Sequence, residues 1–247
     1  AGPDPVMTTK RGRERIHEGG EHETVVLPCS TGSADVRNGT AVDGGARYVG
    51  FVFFPKSRNV IAVNAAQNLA KRVPAKVTKT GLFVDARDDE IRAVLDHVPL
   101  DLLQLHGAET PERVAHIQKL TGLPVMKALR LKTIDQLAEI PPYEDVADRL
   151  LFDSRIGDEP SGGPINWTIL KNLRLGKPWM LAGGLTAQNL MEAVMTSGAT
   201  SVDVSSGAHV CSLDKDRSVG SRKHRLQRDR TLPCLCLRHI SSHEEAS

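Results

Sequence analysis

Several short apolar runs of this chain end in groups suited to chemistry. Leu150-Leu151-Phe152 runs into Asp153, and Leu102-Leu103-Gln104-Leu105 runs into His106-Gly107. Pro178–Ala182 leads to Gly183-Gly184, Ser201–Val204 carries Asp203 and leads to Ser205-Ser206-Gly207, and Arg47–Phe54 leads to Pro55-Lys56-Ser57-Arg58. In a parallel α/β sheet, active groups sit just past the C-terminal ends of strands, and that rule selects these residues. A carboxyl group at such a mouth can be pushed to a higher pKa and then donate a proton, which is one role for Asp153. The other is a salt bridge to Arg149 or Arg155. His106 suits proton transfer or substrate contact, or else a satisfied structural histidine. Arg58 suits a bidentate grip on a carboxylate, or a solvated loop charge. Glycines let backbone N–H groups approach a ligand closely, and the helix start expected from Thr186 adds more donors and a positive dipole end. The Gly183-Gly184 and Ser205-Ser206-Gly207 turns together therefore point to an anion site, most often for phosphate. A lone Gly-Gly pair would read equally as a plain turn. Cys29 follows the run Glu23–Pro28; as a thiolate it is a base or nucleophile, and as a buried thiol it is inert.

The elements that must position these groups are legible as a repeat. Strand-like runs occupy Arg47–Phe54, Lys79–Val84, Leu100–Leu105, Leu123–Leu129, Arg149–Phe152, Pro178–Ala182 and Ser201–Val204. They start about 20 to 30 residues apart, the length of one βα unit. Between them, Ile91, Val94, Leu95 and Val98 fall at helical spacing behind Asp88, a candidate N-cap. Val114, Ile117 and Leu120 do the same behind Thr110-Pro111, with Gly122 placed to stop the helix. Leu190, Ala193 and Val194 follow Thr186. Strands separated by helices pair in parallel through right-handed crossovers. With Glu23–Pro28 as a first strand, the pattern predicts an α/β fold, a (βα)8 TIM barrel. Its first and eighth units are atypical: residues 30–41 form helix weakly, and residues 208–247 show no period. The expected organisation is a polar N-terminal extension over 1–22, a barrel over 23–207 and a tail over 208–247.

Composition bounds the function classes. The chain has 247 residues, 40% of them apolar and 25% charged, with a formal net charge of +2. That supports a packed core, fits a barrel of about 250 residues, and argues against a dedicated nucleic-acid binder. No apolar run approaches a membrane span, and the polar first 22 residues predict no secretory leader. Of the 4 cysteines, Cys211, Cys234 and Cys236 lie in the tail, so a reducing cytoplasm is expected and a disulfide framework is not. Cys234-x-Cys236 with His239 and His243 lacks the two ligand pairs of a tetrahedral site, so no metal is expected.

The candidate residues stand in strings that resemble the phosphoribosylanthranilate isomerase family of tryptophan biosynthesis. These are GARYVGFVFFPKS (45–57), LDLLQLHGAETPERV (100–114), LPVMKALR (123–130), RLLFDS (149–154), WMLAGGLTAQNL (179–190) and VDVSSG (202–207), in the family's order. The resemblance implies a (βα)8 barrel and one reaction: an Amadori rearrangement of N-(5′-phosphoribosyl)anthranilate to 1-(2-carboxyphenylamino)-1-deoxyribulose 5-phosphate. It implies no cofactor and a small phosphorylated substrate, with no nucleic acid and no membrane as partner. By the same resemblance Asp153 is the general acid, Asp203 orients a sugar hydroxyl, Arg58 faces the anthranilate carboxylate, and His106 lies beside the pocket. Gly183, Gly184, Ser206 and Gly207 match the phosphate-binding turns. The family's base is a cysteine in a KICG(L/I) motif ending strand one. That motif is absent here, and Cys29, in VVLPCSTG, is the nearest match. PKSRN stands in place of PKSPR, Asn166 precedes Trp167 where the family has Asp, and AHVCSLDKDRSVG replaces a Pro-Gly-x-Lys-Asp helix start after Gly207. Two functional readings follow, an active isomerase and a non-catalytic phosphate-binding barrel relic of the same family.

Overall fold

The computed structural model describes residues 45–131, 133–153 and 167–204 in full, and the strand at Glu23–Val26 by its backbone. Eight parallel strands close into a barrel in chain order. They are β1 (Glu23–Val26), β2 (Tyr48–Val52), β3 (Thr78–Phe83), β4 (Leu102–Leu105), β5 (Val125–Arg130), β6 (Arg149–Asp153), β7 (Trp179–Ala182) and β8 (Ser201–Val204). Closure runs through β1, which pairs with β2 on one side and with β8 on the other. The described helices are α1 (Val63–Ala70), α2 (Asp88–Leu95), α3 (Pro111–Thr121), α4 (Pro141–Val146) and α5 (Leu190–Ser197), with 3₁₀ segments at Ile134–Glu139 and Trp167–Leu170. The (βα)8 expectation therefore holds, and each strand lies on the run expected for it. Residues 1–22, the segment 30–41 expected to hold a weak first helix, and the tail 208–247 lie outside the described residues.

Side chains alternate across each strand, and the barrel sorts the two sets. Tyr48, Leu102, Met126, Ala128, Leu151, Met180 and Ala182 pack together inside the barrel. Val49, Phe51, Leu103, Leu105, Val125, Leu129, Leu150, Phe152, Leu181, Val202 and Val204 belong to the larger core between strands and helices. Burying side chains of this size contributes about 1.5–3 kcal/mol each before entropy is counted. Alternation therefore sends Gln104 and His106 to the lumen behind Leu102, Asp153 behind Leu151, and Arg130 behind Ala128. It also turns Lys127 outward, between Val125 and Leu129.

Local sequence sets the helix ends. The Thr110 hydroxyl accepts from the Arg113 N–H at 3.3 Å, Pro111 occupies the first helical position, and Gly122 closes α3 at φ 68°. These are the caps the sequence predicts. Asp88 differs from expectation. It is the first helical residue of α2, and the cap position belongs to Arg87, whose N–H donates to the Glu90 carboxylate at 2.8 Å. The Asp88 carboxylate is thereby released to tie α2 to α3. It bonds His116 Nε2 at 2.8 Å and the Arg113 guanidinium, which also donates to the Ala86 carbonyl at 2.7 Å. His116 first, then Arg113, holds the Asp88 carboxyl below the usual carboxylate range.

Two expected outcomes follow. A carboxyl whose pKa is lowered by folding contributes stability above its unfolded pKa and loses it as pH falls through the folded value. Asp88→Asn therefore lowers Tm at neutral pH, and the gap to wild type closes in acid; thermal unfolding at stepped pH checks this, and a gap unchanged with pH would contradict it. A Cβ on Gly107 would stand 2.4 Å from Asp85 Oδ1 and 2.7 Å from the Asp85 backbone nitrogen. Gly107→Ala pushes the β3 and β4 loops apart and costs about 1–3 kcal/mol in urea unfolding.

Candidate active site

The C-terminal ends of the strands bring two of the expected groups, Asp153 and His106, together. Asp153 is the last residue of β6, and His106 follows β4 directly. His106 Nε2 and Asp153 Oδ2 are 3.5 Å apart, with the side chains 18% and 14% exposed. On the ring's other side, the Gln104 amide nitrogen lies 3.2 Å from His106 Nδ1. With the amide donating to Nδ1, the neutral ring carries its proton on Nε2, facing the Asp153 carboxylate. The His106 backbone is pinned as well, its N–H donating to the Phe83 carbonyl at 2.9 Å. His106 is thus hydrogen-bonded on its Nδ1 edge and presents its Nε2 edge to Asp153.

Below the mouth lies a buried polar layer of Thr80, Gln104 and Asp203. Thr80 Oγ1 and Gln104 Oε1 have no hydrogen-bond partner among the described residues. Buried polar atoms are nearly always paired, so two open acceptors suit a hydrated or ligand-bearing lumen. Asp203 is 5% exposed and stands in register with Val25 of β1.

Arg58 sits exposed at the tip of the β2 loop. A turn folds that loop back on the strand: the Ser57 N–H donates to the Phe54 carbonyl at 2.9 Å, and the Ile61 N–H to the Val52 carbonyl at 2.9 Å. Arg58 thus stands on a loop after β2, not on a strand.

After β7, Gly183 and Gly184 adopt φ 96° and 65°, which only glycine takes without strain. The expected helix start at Thr186 is corrected. Asn189 Oδ1 accepts the Thr186 N–H at 2.8 Å, and Asn189 Nδ2 donates to the Gly184 carbonyl at 3.0 Å. The Thr186 N–H is thus spent within the turn, and α5 begins at Leu190. Its donor is not available to an anion. Cys29, Ser206 and Gly207 lie outside the described residues.

Three features escaped the sequence reading. Gln104, two residues before His106, aligns its ring. Arg130 ends β5 on the lumen parity, in register with Asp153. Lys127 and Glu109 form a buried ion pair behind the β4 loop at 2.7 Å. A lysine within the otherwise apolar run of β5 was the available signal for the last. Among the described residues no group of three or more His, Cys, Asp or Glu could hold a metal ion, and no helix is long and apolar enough to cross a membrane. The site offers a carboxyl group with an imidazole nitrogen beside it and a glycine turn after the next strand, a set chemically suited to proton transfer.

Comparison with known proteins places this arrangement. A family model described as N-(5'phosphoribosyl)anthranilate (PRA) isomerase matches residues 31–210. An N-(5'-phosphoribosyl)anthranilate isomerase of Paracoccus denitrificans is 49% identical over 181 residues, 71% of this chain and 84% of that protein. One of Rhodospirillum centenum is 48% identical over 173 residues, 68% of this chain and 81% of its own. The crystal structure of phosphoribosyl anthranilate isomerase from Thermotoga maritima superposes with a TM-score of 0.66 at 26% identity, covering 75% of this chain and 88% of that one. Barrel, mouth and sequence agree, and the chain belongs to the N-(5'-phosphoribosyl)anthranilate isomerase family.

Proposed function

We propose that this chain catalyses the family's Amadori rearrangement, converting N-(5′-phosphoribosyl)anthranilate to 1-(2-carboxyphenylamino)-1-deoxyribulose 5-phosphate, and that Asp153 is its general acid. The observation that carries the assignment is the Asp153 carboxylate at the barrel mouth, 3.5 Å from His106 Nε2. Asp153 protonates the furanose ring oxygen, the C1–O bond breaks, and the anilino nitrogen lone pair forms the imine. A base then removes the C2 proton to give the enolamine, which tautomerises to the ketone. The proton transfer leaves a carboxylate on Asp153, and the His106 Nε2–H faces the charge as it develops. Cys29, placed at the end of the β1 run, is the base. Asp203 orients a sugar hydroxyl, and Arg58 faces the anthranilate carboxylate with its planar fork. Gly183 and Gly184 bind the phosphate together with Ser206 and Gly207. The catalytic unit is residues 23–207, in keeping with the span matched by the family model. The scarcity of cysteines within that unit favours a cytoplasmic setting.

The roles separate kinetically. Asp153→Asn cannot donate the acid's proton, so kcat falls by about 10²–10⁴-fold while phosphate binding survives. Wild-type turnover in that variant would remove Asp153 from the role. Cys29→Ala brings a comparable loss; no effect there means that another group is the base. Gly184→Ala strains a left-handed turn by about 1–2 kcal/mol and raises KM more than it lowers kcat. Complementation of a tryptophan auxotroph lacking this isomerase tests the whole reading. Growth without tryptophan supports it, and failure by a folded, phosphate-binding chain returns the non-catalytic barrel.

A further inference from the structure

Behind the β4 loop, on the side of β5 away from the lumen, Lys127 is buried at 1% exposure and Glu109 at 4%. The Lys127 ammonium donates to Glu109 Oε2 at 2.7 Å, to the Gly107 carbonyl at 2.7 Å and to the Leu105 carbonyl at 3.4 Å. Its three donors are thereby used. The two carbonyls flank His106, one on each side. Glu109 in turn accepts from the Gly107 N–H at 2.9 Å and from the Asp85 N–H at 2.8 Å. Asp85, held at φ 48°, answers by accepting the Ala108 N–H at 2.7 Å. The Tyr143 hydroxyl of α4 donates to the Glu109 carbonyl at 3.1 Å. Burial, then the charges of Glu139, Glu109 and Glu112, push that phenol's pKa up, which keeps it a donor.

A buried ion pair is poor value as stability, since an apolar pair of similar volume is often as good or better. What this pair does that an apolar pair cannot is grip the peptide on both sides of one residue. We propose that Lys127, oriented by Glu109, is a positioning residue that sets the His106 ring against Asp153. Neither side chain touches the lumen; both act through the backbone of the β4 loop. The inference rests on the proposed role of Asp153 and His106, and it adds that the mouth's proton geometry is set from outside the barrel by a buried charge.

The test is the double variant Lys127→Met/Glu109→Gln, which keeps volume and leaves no unpaired buried charge. Its readouts are steady-state kinetics and the nitrogen NMR signals of the His106 ring, assigned by their loss in His106→Asn. The expected result is a folded barrel with KM little changed, kcat reduced about ten- to a hundredfold, and displaced His106 ring signals. A folded double variant with wild-type kcat and unmoved ring signals overturns the proposal. Should that variant not fold, Glu109→Gln alone decides by the same readouts: partial losses in the same direction support the proposal, and none overturns it. Wild type assayed alongside keeps the two readings apart. A wild-type chain without turnover refutes the functional reading, while the ring signals still decide the positioning.

Discussion

In a closed parallel barrel every strand has two faces with different demands. One lines a narrow lumen, the other must meet helices, and alternation leaves no residue free to choose. The inward series here runs from apolar at the bottom, with Tyr48, Leu102 and Met126, to polar at the top, with Gln104, His106 and Asp153. Arg149 lies 5.5 Å from the ring of Tyr48 near the start of β6, at the opposite end of the strand from Asp153. The outward series is almost entirely aliphatic and aromatic, with Phe53 stacked on Phe83 and Phe152 against Trp179, both at 5.4 Å between ring centres. One strand slipped by one residue would exchange these sets, burying Asp153 among the helices and putting Phe152 at the mouth. Register is therefore the constraint on which the chemistry depends.

Lys127 shows what the same constraint does to an exception. Alternation forces it outward between Val125 and Leu129, into the apolar layer, where an unpaired ammonium would be prohibitively costly. It is tolerated because the end of β4 and the loop after it, braced against the β3 loop, supply an acceptor for every donor in the Leu105 and Gly107 carbonyls and the Glu109 carboxylate. Those loops are also bound to each other, through the paired Asp85–Ala108 and Glu109–Asp85 contacts. Gly107 is small enough to let them meet. His106 is thus carried beside loops with many mutual bonds, not on a loose connection.

Much of this was legible in the sequence, and the successes share a cause. The spacing of apolar runs revealed the βα repeat, the Thr110-Pro111 and Gly122 signals bounded α3, and the apolar runs put Asp153, His106 and Gly183-Gly184 at or just past the ends of β6, β4 and β7. Each depends on residues close together in the chain. The misreadings arose where a side chain was claimed by something more distant. Asp88 looked like a cap but reaches Arg113 and His116 on the next helix. Thr186 looked like a helix start, yet Asn189 closes a turn there first.

The sequence by itself determined the class of fold, the order of its units and the chemical types presented at the strand ends, because alternation, helical periodicity and turn chemistry are local properties. Only the tertiary structure decided that β1 closes against β8, that His106 and Asp153 meet across the mouth, that Gln104 aligns the ring between them, and that Lys127 is paired with Glu109. Those outcomes depend on barrel closure and strand register, which bring together groups far apart along the chain, and no local pattern encodes the distance between them.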